Sequence, residues 1–443
     1  MKHVLILGAG KSSASLIQYM LKHAAENDWR IQVADVNTDA AKEKIDNHSR
    51  GKAVYFDVHD AELRRKLVSE NDIVLSLMPA HLHADVAKDC VELKKHFVCA
   101  SYVSDAMQSL HNEAVKNDVI LLNEMGLDPG IDHMSAMKMI HAAQNKGGTV
   151  TAFESYTGGL IAPENDTNPW NYKFTWNPRN VVLAGQGTAK FLQNNSYKYI
   201  PYQKLFTRYD VLEVPGYGQF EGYPNRDSLK YRFVYGLENV ETLVRGTLRK
   251  KGFCDAWNVF VQLGMTDDTY QLEGIEKFSW RDLTNSFLPQ KNNDTRKNLQ
   301  EYLHITDESI LQKLDWLSIF SDEKINLHSA TPAQALQKLL EVKWKLEPGD
   351  KDMCVMLHVM EYTLGGGKYK MQSSMVSIGE DEHQTAMAKT VGLPIGISAK
   401  MILQGKFNRR GVLLPVYADL YEPVLQELEN DFQVHFYEST LHL

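Results

Sequence analysis

A chain of 443 residues is too long for one hydrophobic core, so two or three domains are expected. With 43% hydrophobic and 23% charged residues it has the make-up of a globular protein, which excludes extended disorder. A net charge of −8 lacks the basic surface that phosphate backbones need and speaks against a nucleic-acid partner. Cys90, Cys99, Cys254 and Cys354 form no C-x-x-C pair, so reduced thiols in a cytoplasm are expected rather than disulfides or structural zinc. No apolar run approaches membrane-spanning length, and the start is too short for a signal segment, so an intracellular chain away from membranes is expected.

In chain order, short apolar runs stand at 4–7, 31–34, 53–56, 73–78, 97–100 and 119–122, each ending at a small or polar residue. Helix-like segments separate them, as at 60–70, 82–95 and 104–117. Buried strands alternating with helices predict a Rossmann-like, doubly wound parallel sheet. The pattern changes near Asp128-Pro129-Gly130: a helix is predicted over 131–145, then longer strands alternating in polarity, as at 151–157 and 243–250. Residues 265–350 read as a helical, polar insertion containing a loop at 290–294, and 352–362 with 368–379 read as a hairpin around Gly365-Gly366-Gly367. The second domain is therefore expected to be mixed α/β, with the chain leaving it and returning.

Gly8-Ala9-Gly10-Lys11-Ser12-Ser13 sits where the first strand becomes a helix. The first glycine permits the turn, the second lets a pyrophosphate approach the backbone, and Ser13 is small enough for close helix–strand packing. A P-loop is excluded because Leu5 stands where its first glycine is required. Asp35 ends the second strand, where an acid accepts from adenosine ribose hydroxyls and repels a 2′-phosphate. Val36, Asn37 and Thr38 offer no compensating cation, so NAD is expected in preference to NADP. The same aspartate also suits capping of the next helix.

Ligands of such sheets bind at the carboxyl ends of strands, which draws in Leu77, Ala100, Ser101, Tyr102 and the segment from Asn123 to Gly130. In the second domain Arg226 lies on a predicted loop. In the strand Arg245-Gly246-Thr247-Leu248-Arg249, residues 245, 247 and 249 share one face. Two arginines and a hydroxyl on one face suit bidentate binding of carboxylates, although a solvated face with scattered ion pairs fits the strand alone equally well.

These residues resemble the saccharopine dehydrogenase family of the glutamate-forming type over essentially the full length. The matching stretches include Asn123-Glu124-Met125-Gly126-Leu127-Asp128-Pro129-Gly130-Ile131-Asp132-His133, Ser155-Tyr156-Thr157-Gly158-Gly159-Leu160, Tyr172-Lys173-Phe174-Thr175-Trp176, Tyr223-Pro224-Asn225-Arg226-Asp227-Ser228 and the strand 245–249. The resemblance implies interconversion of saccharopine with L-glutamate and 2-aminoadipate 6-semialdehyde, using NAD or NADP and no metal, in lysine metabolism. It implies substrate contacts from Ser101, Tyr102, Asp128, Arg226, Thr247 and Arg249, to which Arg245 and Leu248 of the same strand are added. Cofactor contacts are implied at Gly8, Ala9, Gly10, Lys11, Asp35, Asp57, Leu77, Ala100, Leu127, Asp128, Pro129 and Trp176. Ser12, Ser13, Val36, Val58 and Cys99 are taken with their neighbours. Asp128 is the expected proton relay, with His133 as the alternative base.

Two departures limit the transfer: family members carry a Cys-Arg type pair near Asp35 and use NADP, and they carry a cysteine where this chain has Thr157. The resemblance also implies a homodimer paired through the second domain. The expected division is 1–128 with about 383–405 for the dinucleotide domain, 129–264 with 351–382 and 406–443 for the substrate domain, and 265–350 for the insertion. Of the rival readings, a carboxyspermidine-type imine reductase requires acids where Arg226 and Arg249 stand. A catalytically silent dinucleotide-binding protein requires gaps in the substrate motifs.

Overall fold

The computed structural model describes residues 1–289 and 294–443; of the loop expected at 290–294, residues 290–293 lie outside that description. The chain divides into two units. The first comprises Met1–Thr149, Leu364–Gly366 and Met375–Tyr437, the second Val150–Thr363, Gly367–Ser374 and Glu438–Leu443.

The first unit contains β1 (Lys2–Leu7), β2 (Trp29–Asp35), β3 (Gly51–Tyr55), β4 (Ile73–Ser76), β5 (His96–Cys99) and β6 (Ile120–Leu122), all within one seven-stranded sheet. Its order is Gly411–Leu413, β6, β5, β4, β1, β2, β3, and every recorded pairing is parallel. Val4–Leu7 and Ile73–Ser76 are buried throughout, as strands covered by helices on both faces must be. Asn37, not Asp35, caps the next helix, accepting from the amides of Asp39 and Ala40 at 3.2 Å.

This unit is larger than the expected 1–128 with 383–405. Gly411–Leu413 extends the sheet at the edge of β6, pairing Gly411 with Ile120 and Leu413 with Leu122. Helix Ala418–Phe432 joins helix Ile131–Gln144 through Tyr421 and His141, 2.8 Å apart. Residues 129–149 and 406–437 therefore belong here and not to the substrate domain. The strand escaped the sequence reading because three residues carry no periodicity of their own. Helix Ala386–Leu403 is long and apolar enough to cross a membrane by length and composition, contrary to the sequence expectation, yet 78% of it is buried. Glu427 ties it to the N-terminal helix, accepting from Lys400 at 2.6 Å and from the Tyr19 hydroxyl at 2.5 Å.

The second unit is built on a nine-stranded sheet holding β7 (Thr149–Ile161), β8 (Ala189–Gln193), β9 (Ser196–Ile200), β10 (Asp210–Val214), β11 (Gly218–Pro224), β12 (Thr242–Lys250), β13 (Asp352–Leu364) and β14 (Gly367–Ile378). Its main path runs β10, β11, β12, β7, β13, β14, with strand Phe436–His442 last, while β8 pairs with β12 and β9. Strands β12 and β7 run parallel, with Arg245 beside Ser155 and Thr247 beside Thr157. Strand β11 is antiparallel to β12, with Tyr223 opposite Thr247 and Glu221 opposite Arg249. Between β12 and β13 lie helix Phe253–Leu263 and then the helices of the insertion, from Trp280–Ser286 to Pro332–Lys343. Capping boxes at Ser279/Asp282 and Thr331/Gln334 start two of them. A packed aromatic group of Trp170, Tyr172, Phe253, Trp257 and Trp344 roots them, with Trp344 centred 5.0 Å from Tyr172 and 5.4 Å from Trp170.

Candidate active site

The first unit presents a dinucleotide cradle at the carboxyl end of its sheet. Gly8 has φ +100°, a conformation that strains any side chain, and it lies where a Cβ would touch the Leu77 carbonyl carbon at 3.4 Å. The Leu77 amide donates to Leu7 O at 2.9 Å, which sets the ends of β1 and β4 side by side. A Cβ built on Gly10 meets nothing within 4 Å, so a ligand can approach that backbone. Lys11 and Ser12 open the following helical turn, whose first N–H groups have no partners within the helix and suit a phosphate. Ser13 is buried, its hydroxyl donating to Gly10 O at 2.8 Å, so it packs the turn rather than reaching a ligand.

Asp35, half-buried at the end of β2, accepts from the amide of Ala9 at 2.7 Å and from that of Asn37 at 2.8 Å. Val36 beside it is 65% exposed. The structure adds a group the sequence reading missed. Lys44 returns along helix Thr38–Ile45 and places its ammonium 2.5 Å from the carbonyl oxygens of Ala9 and Gly10. Partial burial lowers its pKa, while Glu43 and Asp35 oppose that shift. Asp57 and Val58 follow β3; Asp57 accepts from the His59 amide at 2.9 Å and Val58 O from Arg64 Nη1 at 2.8 Å.

The segment after β5 and β6 assembles the acid–base candidates. Ala100, Ser101 and Tyr102 are half-buried, and the Tyr102 hydroxyl donates to Asp128 Oδ1 at 3.0 Å. Asp128 is half-buried and is joined to Pro129 by a cis peptide bond. Gly130 (φ +150°) packs so tightly on the Gly126 backbone that any Cβ would collide with it, while Leu127 O accepts from the Asp132 amide at 3.1 Å.

Beneath this loop is a buried carboxylate–imidazole contact: Glu124 Oε2 lies 2.8 Å from His133 Nε2, with both side chains at most 1% exposed. Glu124 Oε1 accepts from the Val103 amide at 3.0 Å, and Asp132 Oδ1 from the Gly130 amide at 2.6 Å. His133 thus braces the loop that carries Asp128. Its complete burial argues against the role of base expected from sequence. Cys99 is corrected in the same way. It is wholly buried, its carbonyl accepts from the Met125 amide at 3.0 Å, and burial pushes its thiol up to about 12, so it supports the strand end.

The second unit presents a sheet face that carries two buried arginines. Arg245, Thr247 and Arg249 alternate along β12 on one side, and the cross-strand register adds Ser155, Thr157 and Tyr223 to it. Arg249 is 4% exposed, its guanidinium lying 5.2 Å from the centre of the Tyr172 ring and 5.3 Å from that of Phe253. Nη1 donates to Leu248 O at 2.9 Å, Nε has no partner, and among the described residues no carboxylate forms an ion pair with it. Arg245 lies 4.2 Å over the Tyr231 ring. Leu248, expected as a substrate contact, is fully buried on the opposite side because neighbours in a strand alternate.

Arg226 is exposed with φ +55° on the loop after β11. That loop is anchored to β12: the Asn225 amide donates to Arg245 O at 2.8 Å, and the Arg245 amide to Ser228 Oγ at 2.9 Å. Trp176 is half-buried just before helix Pro178–Val182.

The comparisons agree with this division of labour. Residues 4–122 match the family model for the saccharopine dehydrogenase NADP binding domain, and residues 126–433 that for the saccharopine dehydrogenase C-terminal domain. Saccharopine dehydrogenase (NADP+, L-glutamate-forming) of Saccharomyces cerevisiae is 33% identical, covering 99% of both chains. Mitochondrial alpha-aminoadipic semialdehyde synthase of Mus musculus is 33% identical over all of this chain and 48% of its own length. The structure of apo saccharopine dehydrogenase (L-Glu forming) from Saccharomyces cerevisiae superposes with a TM-score of 0.90 at 32% identity, covering 100% of each chain. Both family models and a full-length relative therefore coincide with the glycine turn in the first unit and the arginine face in the second, and the chain belongs to the saccharopine dehydrogenase family.

Proposed function

We propose that the chain interconverts saccharopine with L-glutamate and 2-aminoadipate 6-semialdehyde, using a nicotinamide dinucleotide, in lysine metabolism. The observation that carries this reading is Arg249. A buried guanidinium without a carboxylate partner is costly unless a ligand supplies one, and saccharopine carries three carboxylates. Arg245 and the loop bearing Arg226 flank the same strand, so the second unit has the cations for a polyanionic amino acid.

The nicotinamide, when bound, supplies the acceptor for a hydride leaving the carbon beside the substrate's secondary amine. The chain does the rest. The helix terminus after Gly10 holds the pyrophosphate, and Asp35 accepts from ribose hydroxyls. Asp128, oriented by the Tyr102 hydroxyl, takes the extra proton of the substrate's ammonium form, releases it to solvent and leaves the nitrogen lone pair free. Water then adds to the resulting C=N carbon as Asp128 takes one of its protons and passes it to nitrogen. The C–N bond breaks, the remaining hydroxyl proton passes through Asp128 to the nitrogen departing with glutamate, and the carbon becomes the aldehyde. The arginines fix the carboxylates and hence the approach, a positioning effect of about 7–11 kcal/mol at best.

NAD is the proposed cofactor, supported by the Asp35 carboxylate with an exposed Val36 beside it. NADP is the second reading, favoured by the name of the matching domain and by the Lys44 ammonium next to Asp35. Pairing of two copies and a reducing cytoplasm complete the proposal, the latter supported by four buried cysteines that form no disulfide. Purified protein is mixed with saccharopine and each dinucleotide, and the reduced-nicotinamide absorbance is followed. Steady growth is expected, faster with NAD; no growth with either overturns the reading.

A further inference from the structure

The sheet face of the second unit holds a second polar group without a partner. Thr157 on β7 is 7% exposed, and its Oγ1 is buried with no hydrogen-bond partner among the described residues. Parallel register sets it beside Thr247, so its side chain shares the face of Arg245 and Arg249. A strand threonine usually satisfies its hydroxyl with a backbone carbonyl, a side chain or water, and a buried hydroxyl left unmade is destabilising. On this same face the Arg249 guanidinium also keeps a buried, unpartnered Nε. Two unmade donors thus stand on one side of adjacent strands, and among the described residues no acid is paired to Arg249.

We propose that Thr157 is a further substrate-binding residue, its hydroxyl donating to an oxygen of the carboxylate whose charge Arg249 meets. The inference rests on the proposed function for the identity of the carboxylate, but not for its existence. An amino-acid carboxylate offers several lone-pair sites, so it accepts from a guanidinium and a hydroxyl together. Valine in place of Thr157 keeps the shape and the β preference while deleting only the donor. Serine keeps the donor.

The test uses the full chain. Melting temperatures are measured with and without saccharopine and with and without glutamate, together with KM and kcat for saccharopine. For Thr157→Val the ligand-free melting temperature is expected to be unchanged or higher, because a buried unpartnered hydroxyl is removed. Its ligand-induced shift is expected to shrink and KM to rise about 10- to 100-fold, as for loss of a hydrogen bond to a charged group, with a smaller change in kcat. Thr157→Ser is expected to stay within about threefold of the parent, and affinity for the dinucleotide is expected to be unchanged in both. A folded Thr157→Val protein with the parent's KM and ligand-induced shift overturns the proposal, as does a lowered ligand-free melting temperature with binding intact. A parent protein inert toward saccharopine but stabilised by glutamate through Thr157 sinks the proposed reaction and leaves this residue's role standing.

Discussion

Glu221 stands opposite Arg249 in the antiparallel register of β11 and β12, yet both of its carboxylate oxygens are committed elsewhere. Oε1 accepts from the Gly252 amide at 2.5 Å and Oε2 from the Cys254 amide at 2.8 Å, so this buried acid starts helix Phe253–Leu263. The cation beside it is thereby left to an incoming anion. Arg249→Met is expected to lower kcat/KM for saccharopine by about 2–5 kcal/mol, roughly 30- to 5,000-fold. Its ligand-free melting temperature should hold or rise, because an uncompensated buried charge is removed. A large loss of stability instead would mean that Arg249 serves the fold.

In the proposed function, Asp35 and Lys44 set cofactor choice at the adenosine end of the cradle. Asp35→Ser is expected to weaken NADH about tenfold and to move the NADPH/NADH preference toward NADPH by more than that. Lys44→Met separates the two readings in a fluorescence titration: loss confined to NADPH assigns Lys44 to a 2′-phosphate, whereas equal loss for both assigns it to the glycine turn.

Asp128→Asn is expected to cut turnover about 10²- to 10⁴-fold while leaving the Kd for the dinucleotide unchanged. A pH–rate profile of unaltered height and shape would remove Asp128 from the proton path.

His133→Ala takes from the buried Glu124 carboxylate the ring that meets its Oε2 and is expected to cost about 3–5 kcal/mol of stability, read by calorimetry. His133→Gln, which can still donate to Glu124, should recover part of that loss and keep the shape of the pH–rate profile. A profile that loses one limb in His133→Gln would restore this histidine as the base.

Acid should weaken the first unit before the carboxylates titrate. Burial lowers His83 and His96 from the ordinary 6.5 to about 4, and His96 Nδ1 accepts from the Ile120 amide at 3.2 Å, which a protonated ring cannot do. Both are neutral bases whose folded pKa is depressed, so the unfolded chain binds more protons between pH 6.5 and 4. Their contribution is complete above pH 6.5 and is lost as pH falls toward 4, by about 2–3 kcal/mol for each. Thermal scans from pH 8 to 4 should show this decline, and His83→Gln should flatten it.

Much of the fold was legible because it is local. The apolar run at 4–7 is continuous, 31–34 is broken only by Gln32 and 73–76 closes on Ser76, since strands covered on both faces need little polar side, and their ends mark the ligand-binding edge. The glycine turn and Asp35 follow from the same punctuation, and the two-residue period alone sets Arg245, Thr247 and Arg249 on one face.

What lay outside the sequence are contacts between residues far apart along it. Gly411–Leu413 is a strand only because the edge of β6 is free to receive it. Lys44 bears on the cofactor only because its helix carries the ammonium back to Ala9 and Gly10. His133 read as an alternative base and Cys99 as a cofactor contact until packing closed over them. Whether a cation or a hydroxyl is a site depends on whether the fold pairs it. Periodicity reports which way a side chain points; only the packed chain shows that the acid opposite Arg249 is already occupied and that Thr157 has no partner.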